Sequence, residues 1–257
     1  MSAEDTQNNP PSIRAGLRDW FEGDPGRSLL REELRQLERL LPDLFGYHLV
    51  QLGQLGDIDL LVSSRISHHV VFDIGSGAAA GGDAQCCCLA ESLPLATDSV
   101  DVMLLPHVLE FTRDPHQVLR ETERVLIGDG HVIIAGFNPW GLWGLPRLLL
   151  GWRGRVPWCG HFMGATRIRD WLRLLGFEIL HSRYHYYRPP LRSTQMLRRL
   201  EFLEGLGQIH WPVLGALYII VAVKRVIPLT PVAQGWRNSR RLLAPGLTEP
   251  STRTSIK

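Results

Sequence analysis

The stretch VVFDIGSGAAAGGD, Val70 to Asp83, runs an apolar strand straight into a glycine-rich turn. Whether it is the first or the second strand of a parallel sheet decides how the rest of the chain folds. Glycine after a strand lets backbone N–H groups approach a ligand closely, so the stretch is an obvious candidate for a nucleotide-binding loop. A rival stands upstream: YHLVQLGQLGD, Tyr47 to Asp57, is also an apolar strand ending in glycine, at Gly53 and Gly56.

The units downstream set the frame. SVDVMLLP, Ser99 to Pro106, is apolar on both faces, as a central parallel strand must be. After it, Asp114 as N-cap, Pro115 at the first helical position and Gln117 at the third make a capping-box start. The helix is expected to run to Leu126 with Val118, Thr122, Val125 and Leu126 inward. Gly128 should end it, Asp129-Gly130 should turn, and HVIIAGF should be the next strand, a βαβ crossover. A second helix, TRIRDWLRLLG, is expected to start at a capping Thr166, bury Ile168, Trp171, Leu172 and Leu175, stop at Gly176 and feed the strand FEIL.

Upstream, Ser28 is placed to cap a helix carrying Leu29, Leu30, Leu34, Leu37, Leu40 and Leu41 at helical spacing, ending near Pro42. QCCCLA reads as a short buried strand in which Cys86, Cys87 and Cys88 are small apolar residues. WPVLGALYIIVAV, Trp211 to Val223, holds 13 residues, short of the roughly 18 that a bilayer-crossing helix needs. Its β-branched residues, bounded by Lys224-Arg225, predict a buried strand. Strands alternating with helices in this way predict a Rossmann-like, doubly wound and mostly parallel sheet in three layers, α/β/α.

A chain of 257 residues can bury one large core. Residues 13–227 read as a single domain, 1–12 as a disordered start, and 228–257 as an extended basic tail. With 28 Lys plus Arg against 26 Asp plus Glu, the net charge of +2 gives no global argument for nucleic acid. The four cysteines have neither a disulfide framework nor zinc-site spacing. The acidic, polar start MSAEDTQNNPPS is no secretory signal, and a cytoplasmic protein is expected.

The run from Leu89 to Leu145 resembles the second half of a class I S-adenosylmethionine-dependent methyltransferase, of the type 11-like group that includes small-molecule and quinone-precursor methyltransferases. Glu91-Ser92-Leu93-Pro94-Leu95 before the strand, Ser99-Val100-Asp101 opening it, His107-Val108-Leu109-Glu110 closing it, and the Asp114 to Gly130 helix and turn carry the likeness. It extends over about Tyr47 to Leu180. It implies S-adenosyl-L-methionine as cofactor and a small-molecule methyl acceptor.

In such a fold the glycine loop after strand one is followed, about 20 residues on, by an acid ending strand two that holds the ribose hydroxyls. From Gly77 to Ser99 there are only 22 residues, too few for a helix and two further strands. From Gly53 to Asp73 there are 20. LVQLGQLG is therefore read as the cofactor loop, FDIGSG as the end of strand two, and Asp73 as the ribose acid.

The loop departs from the family pattern. Gln51 stands where an acid is usual, the glycines are Gly53 and Gly56 rather than alternate, and Leu89 stands where the resemblance puts an Asp beside the adenine. The expected cofactor-binding set is Gln51, Gly53, Gly56, Asp73, Leu89, Ala90, Glu91 and His107. A strand followed by a glycine turn also offers backbone N–H groups to the methionine carboxylate at a helix N-terminus. His107, at a strand end, and His161 are candidate bases if the acceptor must lose a proton. The aromatic run Tyr184 to Tyr187, with Trp140, Trp143 and His161, lines either an acceptor pocket or the core. Three readings stay open: an active methyltransferase, a degenerate methyltransferase fold with a binding or regulatory role, and a nicotinamide oxidoreductase, the last lacking its GxGxxG.

Overall fold

The structure is a computed structural model that describes residues 10–56, 58–74, 86–144, 156–189, 204–205, 207 and 211–226. Its strands are β1 (His48–Leu52), β2 (His68–Ile74), β3 (Cys86–Cys88), β4 (Val100–Pro106), β5 (Leu126–Phe137), β6 (Phe177–His185) and β7 (Leu217–Lys224). They form one seven-stranded sheet in the order β3-β2-β1-β4-β5-β7-β6. β7 alone runs antiparallel, between β5 and β6.

That order settles the question posed by the two glycine turns. β1 lies between β2 and β4, with Val50 opposite Val70 on one side and Met103 on the other. VVFDI is the next strand outward, and its Asp73 pairs with Cys87 of the edge strand, where Cys86 and Cys87 are exposed and only Cys88 is buried, contrary to the expected buried strand. Gly75 and Gly77, in the segment read as a linker, lie outside the described residues.

The helices are α1 (Pro10–Glu22), α2 (Asp24–Leu40), α3 (Pro115–Val125) and α4 (Ala165–Leu174). Side chains alternate across the sheet with period two. Val50, Leu52, Met103, Leu105, Val132 and Ile134 face Val118, Leu119, Ile168 and Leu172 of α3 and α4. Leu49, Val102, Leu104, Ile133 and Ala135 face Leu17, Phe21, Leu29, Leu30 and Leu37 of α1 and α2. The result is the expected three layers.

Several boundaries differ from the expected ones, each for a local reason. α1 begins at Pro10, so the last three residues of the segment expected to be disordered are helical. α2 starts at Asp24 behind N-cap Gly23, with Pro25 in its first turn, and Ser28 sits inside it rather than capping it. α4 starts at Ala165 behind Gly164; Thr166 is already helical and its hydroxyl accepts from Arg169. Asp114 does cap α3, accepting from the Gln117 N–H at 3.0 Å. α3 ends at Val125, however, and β5 begins at once. The expected Gly128 stop and Asp129-Gly130 turn are a bulge within that strand: Val100 pairs with Leu126 and Val102 with His131, and Asp129 takes φ +62.

β7 is buried at every position, as a strand between two others must be. Among the described residues no helix is long and apolar enough to cross a membrane. At the end of β7 the buried Lys224 ammonium donates to the Asp98 carboxylate at 2.9 Å and to the carbonyls of Glu123 and Leu126 at 2.7 and 2.8 Å. This fastens β7 to the junction of α3 and β5.

Candidate functional site

Parallel strands β1, β2, β4 and β5 end along one edge of the sheet, where doubly wound folds place their ligands. At the end of β1, Gly53 takes φ +90 and Gly56 φ +59, conformations that disfavour any side chain. The Gly53 N–H bonds the Phe72 carbonyl at 2.7 Å, so the turn stays laced to β2. Gln51 is buried, and its amide donates to the Gly53 carbonyl at 2.9 Å. The residue replacing the family's acid therefore holds the shape of the turn.

The segment beyond the turn is not the helix whose N-terminus was expected there. Residues 58–66 carry only turns, closed by Asp59 accepting from Leu61 N–H and Ser64 accepting from Ile66 N–H. Leu55, Leu60, Leu61 and Ile66 are buried in the core on the α1 and α2 side. Among the described residues no helix stands between β1 and β2. Instead Arg14 of α1 lies beside Gly53, and Phe21 of α1 and Leu30 of α2 lie beside Gly56.

Two arginines one turn apart on α1 reach this edge. Arg18 donates to Asp73 at the end of β2, whose other oxygen accepts from its neighbour Ile74 N–H at 2.9 Å. Arg14 is 7% exposed, and its Nη1 lies 3.2 Å from where a Cβ on Gly53 would stand. Among the described residues none of its three guanidinium nitrogens has a hydrogen-bond partner. Burial lowers its pKa to about 10, against the opposing pull of Glu110 and Asp73, so it stays charged at neutral pH. Sequence reasoning missed both arginines.

The loop after β3 carries Leu89, Ala90 and Glu91. Leu89 is exposed, Ala90 fully buried and Glu91 half-buried. α3 holds the loop: Glu121 accepts from the Leu93 N–H, and Arg124 donates to the carbonyls of Leu93 and Leu95. The Glu121 carboxyl lies below its usual range because Arg124 donates to it.

His107 follows β4 with φ +48, an uncommon conformation for a residue with a Cβ. Its ring is fully buried between Phe21 and Phe137. Nε2 lies 2.9 Å from a Glu33 oxygen and Nδ1 3.5 Å from a Glu110 oxygen, contacts that pair charge without forming hydrogen bonds. Burial disfavours the imidazolium, but Glu33 and Glu110 outweigh it and raise the pKa to about 9. With 0% of its surface exposed, the ring has no face from which to meet an acceptor in this arrangement. Glu110 also accepts from the Phe137 N–H at 2.7 Å, tying the turn after β4 to the end of β5. His161 is exposed, its N–H bonded to the Glu110 carbonyl at 2.8 Å.

A methyltransferase-domain family model matches residues 74–134, from the last residue of β2 into β5. The uncharacterized protein YafS of Escherichia coli is 37% identical over 228 residues, 87% of this chain and 89% of that protein. The chain belongs to the class I methyltransferase family. A methyltransferase structure from Thermotoga maritima, described as a possible histamine N-methyltransferase, superposes with TM-score 0.55 at 19% identity, covering 76% of this chain and 88% of that one. A SAM-dependent methyltransferase from Archaeoglobus fulgidus gives 0.51 at 16%, covering 80% and 97%. These two likenesses show the fold. The family match begins only after Gly53, Gly56 and Asp73, so the divergent glycine turn of this methyltransferase domain lies wholly outside it.

The aromatic residues of this class I domain divide between the core and a surface cleft. Trp143 and Tyr186 are core, with Trp143 donating to the Arg188 carbonyl, while Trp140 is exposed. Tyr184, His185 and Tyr187 instead line a cleft of about 470 Å³, together with Gln36 and Arg39 of α2. Asn138 spends its amide on the Val213 and Gly215 carbonyls, pinning the end of β5 to the turn before β7.

Proposed function

We propose that the protein is a methyltransferase that uses S-adenosyl-L-methionine to methylate a small molecule. The observation that carries this reading is the pairing of a β1 turn built on two left-handed glycines with a carboxylate, Asp73, ending the adjacent strand β2. The donor set fits the cofactor: Asp73 for the ribose hydroxyls, the backbone around Gly53 and Gly56 for close approach to the methionine moiety, and the Leu89 to Glu91 loop for the adenine. An orphaned, buried guanidinium beside Gly53 is matched by the cofactor's carboxylate. When bound, the cofactor supplies an electrophilic methyl group, so the protein needs no nucleophile of its own and contributes chiefly position and the exclusion of water.

The cleft beside β6 supports a small-molecule acceptor. Its volume is within the range of ligand pockets, roughly 300–1,000 Å³, at about 470 Å³. It opens at the C-terminal end of β6, on the same sheet edge as the cofactor set. Glu33 and Arg39 place it about 9 Å along α2 from His107, at the 1.5 Å helical rise. Exposed His161, next to Glu110, is the candidate base where the acceptor carries a removable proton.

A second reading, a non-catalytic binding protein, is favoured by one observation, the engagement of Asp73 by Arg18. Calorimetric titration with S-adenosylmethionine and S-adenosylhomocysteine separates the two. Saturable binding of both supports the methyltransferase, and no heat with either at millimolar concentration, in a cooperatively melting sample, overturns it.

A further inference from the structure

The most demanding group on the ligand edge is a cation with nothing to hold. Arg14 is almost wholly buried, charged, and without a hydrogen bond from any of its guanidinium nitrogens among the described residues. Buried charges are ordinarily paired and hydrogen-bonded, because a bare one forfeits its hydration without return. Glu110 and Asp73 are near enough to stabilise its charge, yet neither forms a hydrogen bond to it: Glu110 Oε1 accepts from the Phe137 N–H, Glu110 Oε2 is buried without a partner among the described residues, and Asp73 is taken by Arg18 and the Ile74 N–H.

The position of that cation is as telling as its lack of partners. It lies against the Gly53 turn, with Cζ 3.7 Å and Nη1 3.2 Å from the position of an added Cβ. In doubly wound folds the anion that arrives at this turn is met by the N-terminus of the helix after β1. This chain has turns there and no helix among the described residues, so that source of positive potential is missing at the place Arg14 occupies.

Resting on the methyltransferase reading, we propose that Arg14 receives the amino-acid carboxylate of the cofactor, replacing the absent helix N-terminus with a guanidinium brought in by α1. A guanidinium offers two parallel N–H donors to a carboxylate, which fixes its orientation as well as its charge. α1 is then part of the cofactor site rather than a cover over it.

The test is calorimetric titration of the full chain with S-adenosylmethionine and with decarboxylated S-adenosylmethionine, which differ in the carboxylate alone. The wild type is expected to bind the former about 10- to 100-fold more tightly, the range for hydrogen bonds to a charged group. Arg14→Met should remove that discrimination by weakening S-adenosylmethionine alone. Arg14→Lys, which keeps the charge and loses the fork, should retain part of it and provides a folded comparison if Arg14→Met does not fold. Equal binding of the two ligands by the wild type, or an equal loss of both in a folded Arg14 variant, overturns the assignment while leaving the methyltransferase reading intact. Binding of neither ligand overturns both.

Discussion

Arg18 of α1 and Asp73 at the end of β2 form an ion pair across 55 positions of sequence, and the pair is partly buried. One carboxylate thus anchors the N-terminal helix and, on the proposed reading, also accepts from the ribose hydroxyls. Asp73→Ala removes both roles. It should raise the dissociation constant for S-adenosylhomocysteine roughly ten-fold or more, as expected for lost hydrogen bonds to a charged group, and speed amide exchange in α1. Calorimetry with hydrogen exchange reads both effects; unchanged affinity with a loosened α1 would reduce Asp73 to a structural anchor.

The Gly53 and Gly56 turn tolerates side chains poorly. At φ +90, beside the Arg14 guanidinium, Gly53→Val is strained and displaces that group. A cost of about 1–3 kcal/mol in stability should accompany a loss of cofactor affinity of at least ten-fold. Gly56→Ala, at φ +59 with its nearest neighbours at 3.6 and 3.7 Å, should cost about 1 kcal/mol and spare more of the binding. Gly77→Ala should matter least. Thermal melts and titrations of the three variants check the order, and a greater effect at Gly77 than at Gly53 would displace the cofactor loop from β1.

Two buried histidines should shape the pH dependence of stability in opposite directions. The folded pKa of His107, about 9, lies above its unfolded value of about 6.5, because Glu33 and Glu110 outweigh its desolvation. Its stabilisation is complete below pH 6.5 and is lost as pH rises towards 9. Burial lowers His185 to about 4, so its contribution is present above 6.5 and lost as pH falls towards 4. Melting temperature should therefore decline on both sides of about pH 6.5. His107→Gln should flatten the alkaline limb alone and His185→Gln the acid limb alone; a variant that flattens the opposite limb would contradict the assignment.

A chain ending after Val226 should remain soluble and melt cooperatively, because among the described residues every strand and every core side chain precedes that point. Loss of the transition in circular dichroism would show that residues beyond it belong to the packed unit.

Much of this fold was legible because its signals are local. The capping box at Asp114 and Gln117, the doubly apolar β4, and the distance from Gly53 to Asp73 placed the strands without tertiary information. α1 had a signal too: Ile13, Leu17, Trp20 and Phe21 recur at helical spacing, with Arg14 and Arg18 on the adjoining face. The polar residues before them masked it. The surroundings of His107 were not legible, because the carboxylate 2.9 Å from it is Glu33 on α2, and no periodicity predicts that long-range meeting. The missing helix after β1 was obscured by Leu60, Leu61 and Val62, whose apolar run suits a buried turn as well as a short helix.

The antiparallel course of β7 carries its C-terminus to the sheet edge opposite Asp73, and there Lys224 gathers Asp98 and the carbonyls of Glu123 and Leu126. A strand of five to seven residues separates the two edges by about 17–20 Å, beyond the reach of ordinary pairwise coupling. The clasp at Lys224 and the proposed cofactor contacts are thus set at opposite edges of one sheet. Stability losses from substituting Lys224 and Asp73 should therefore add without interaction, the clasp holding whatever is altered at the opposite edge.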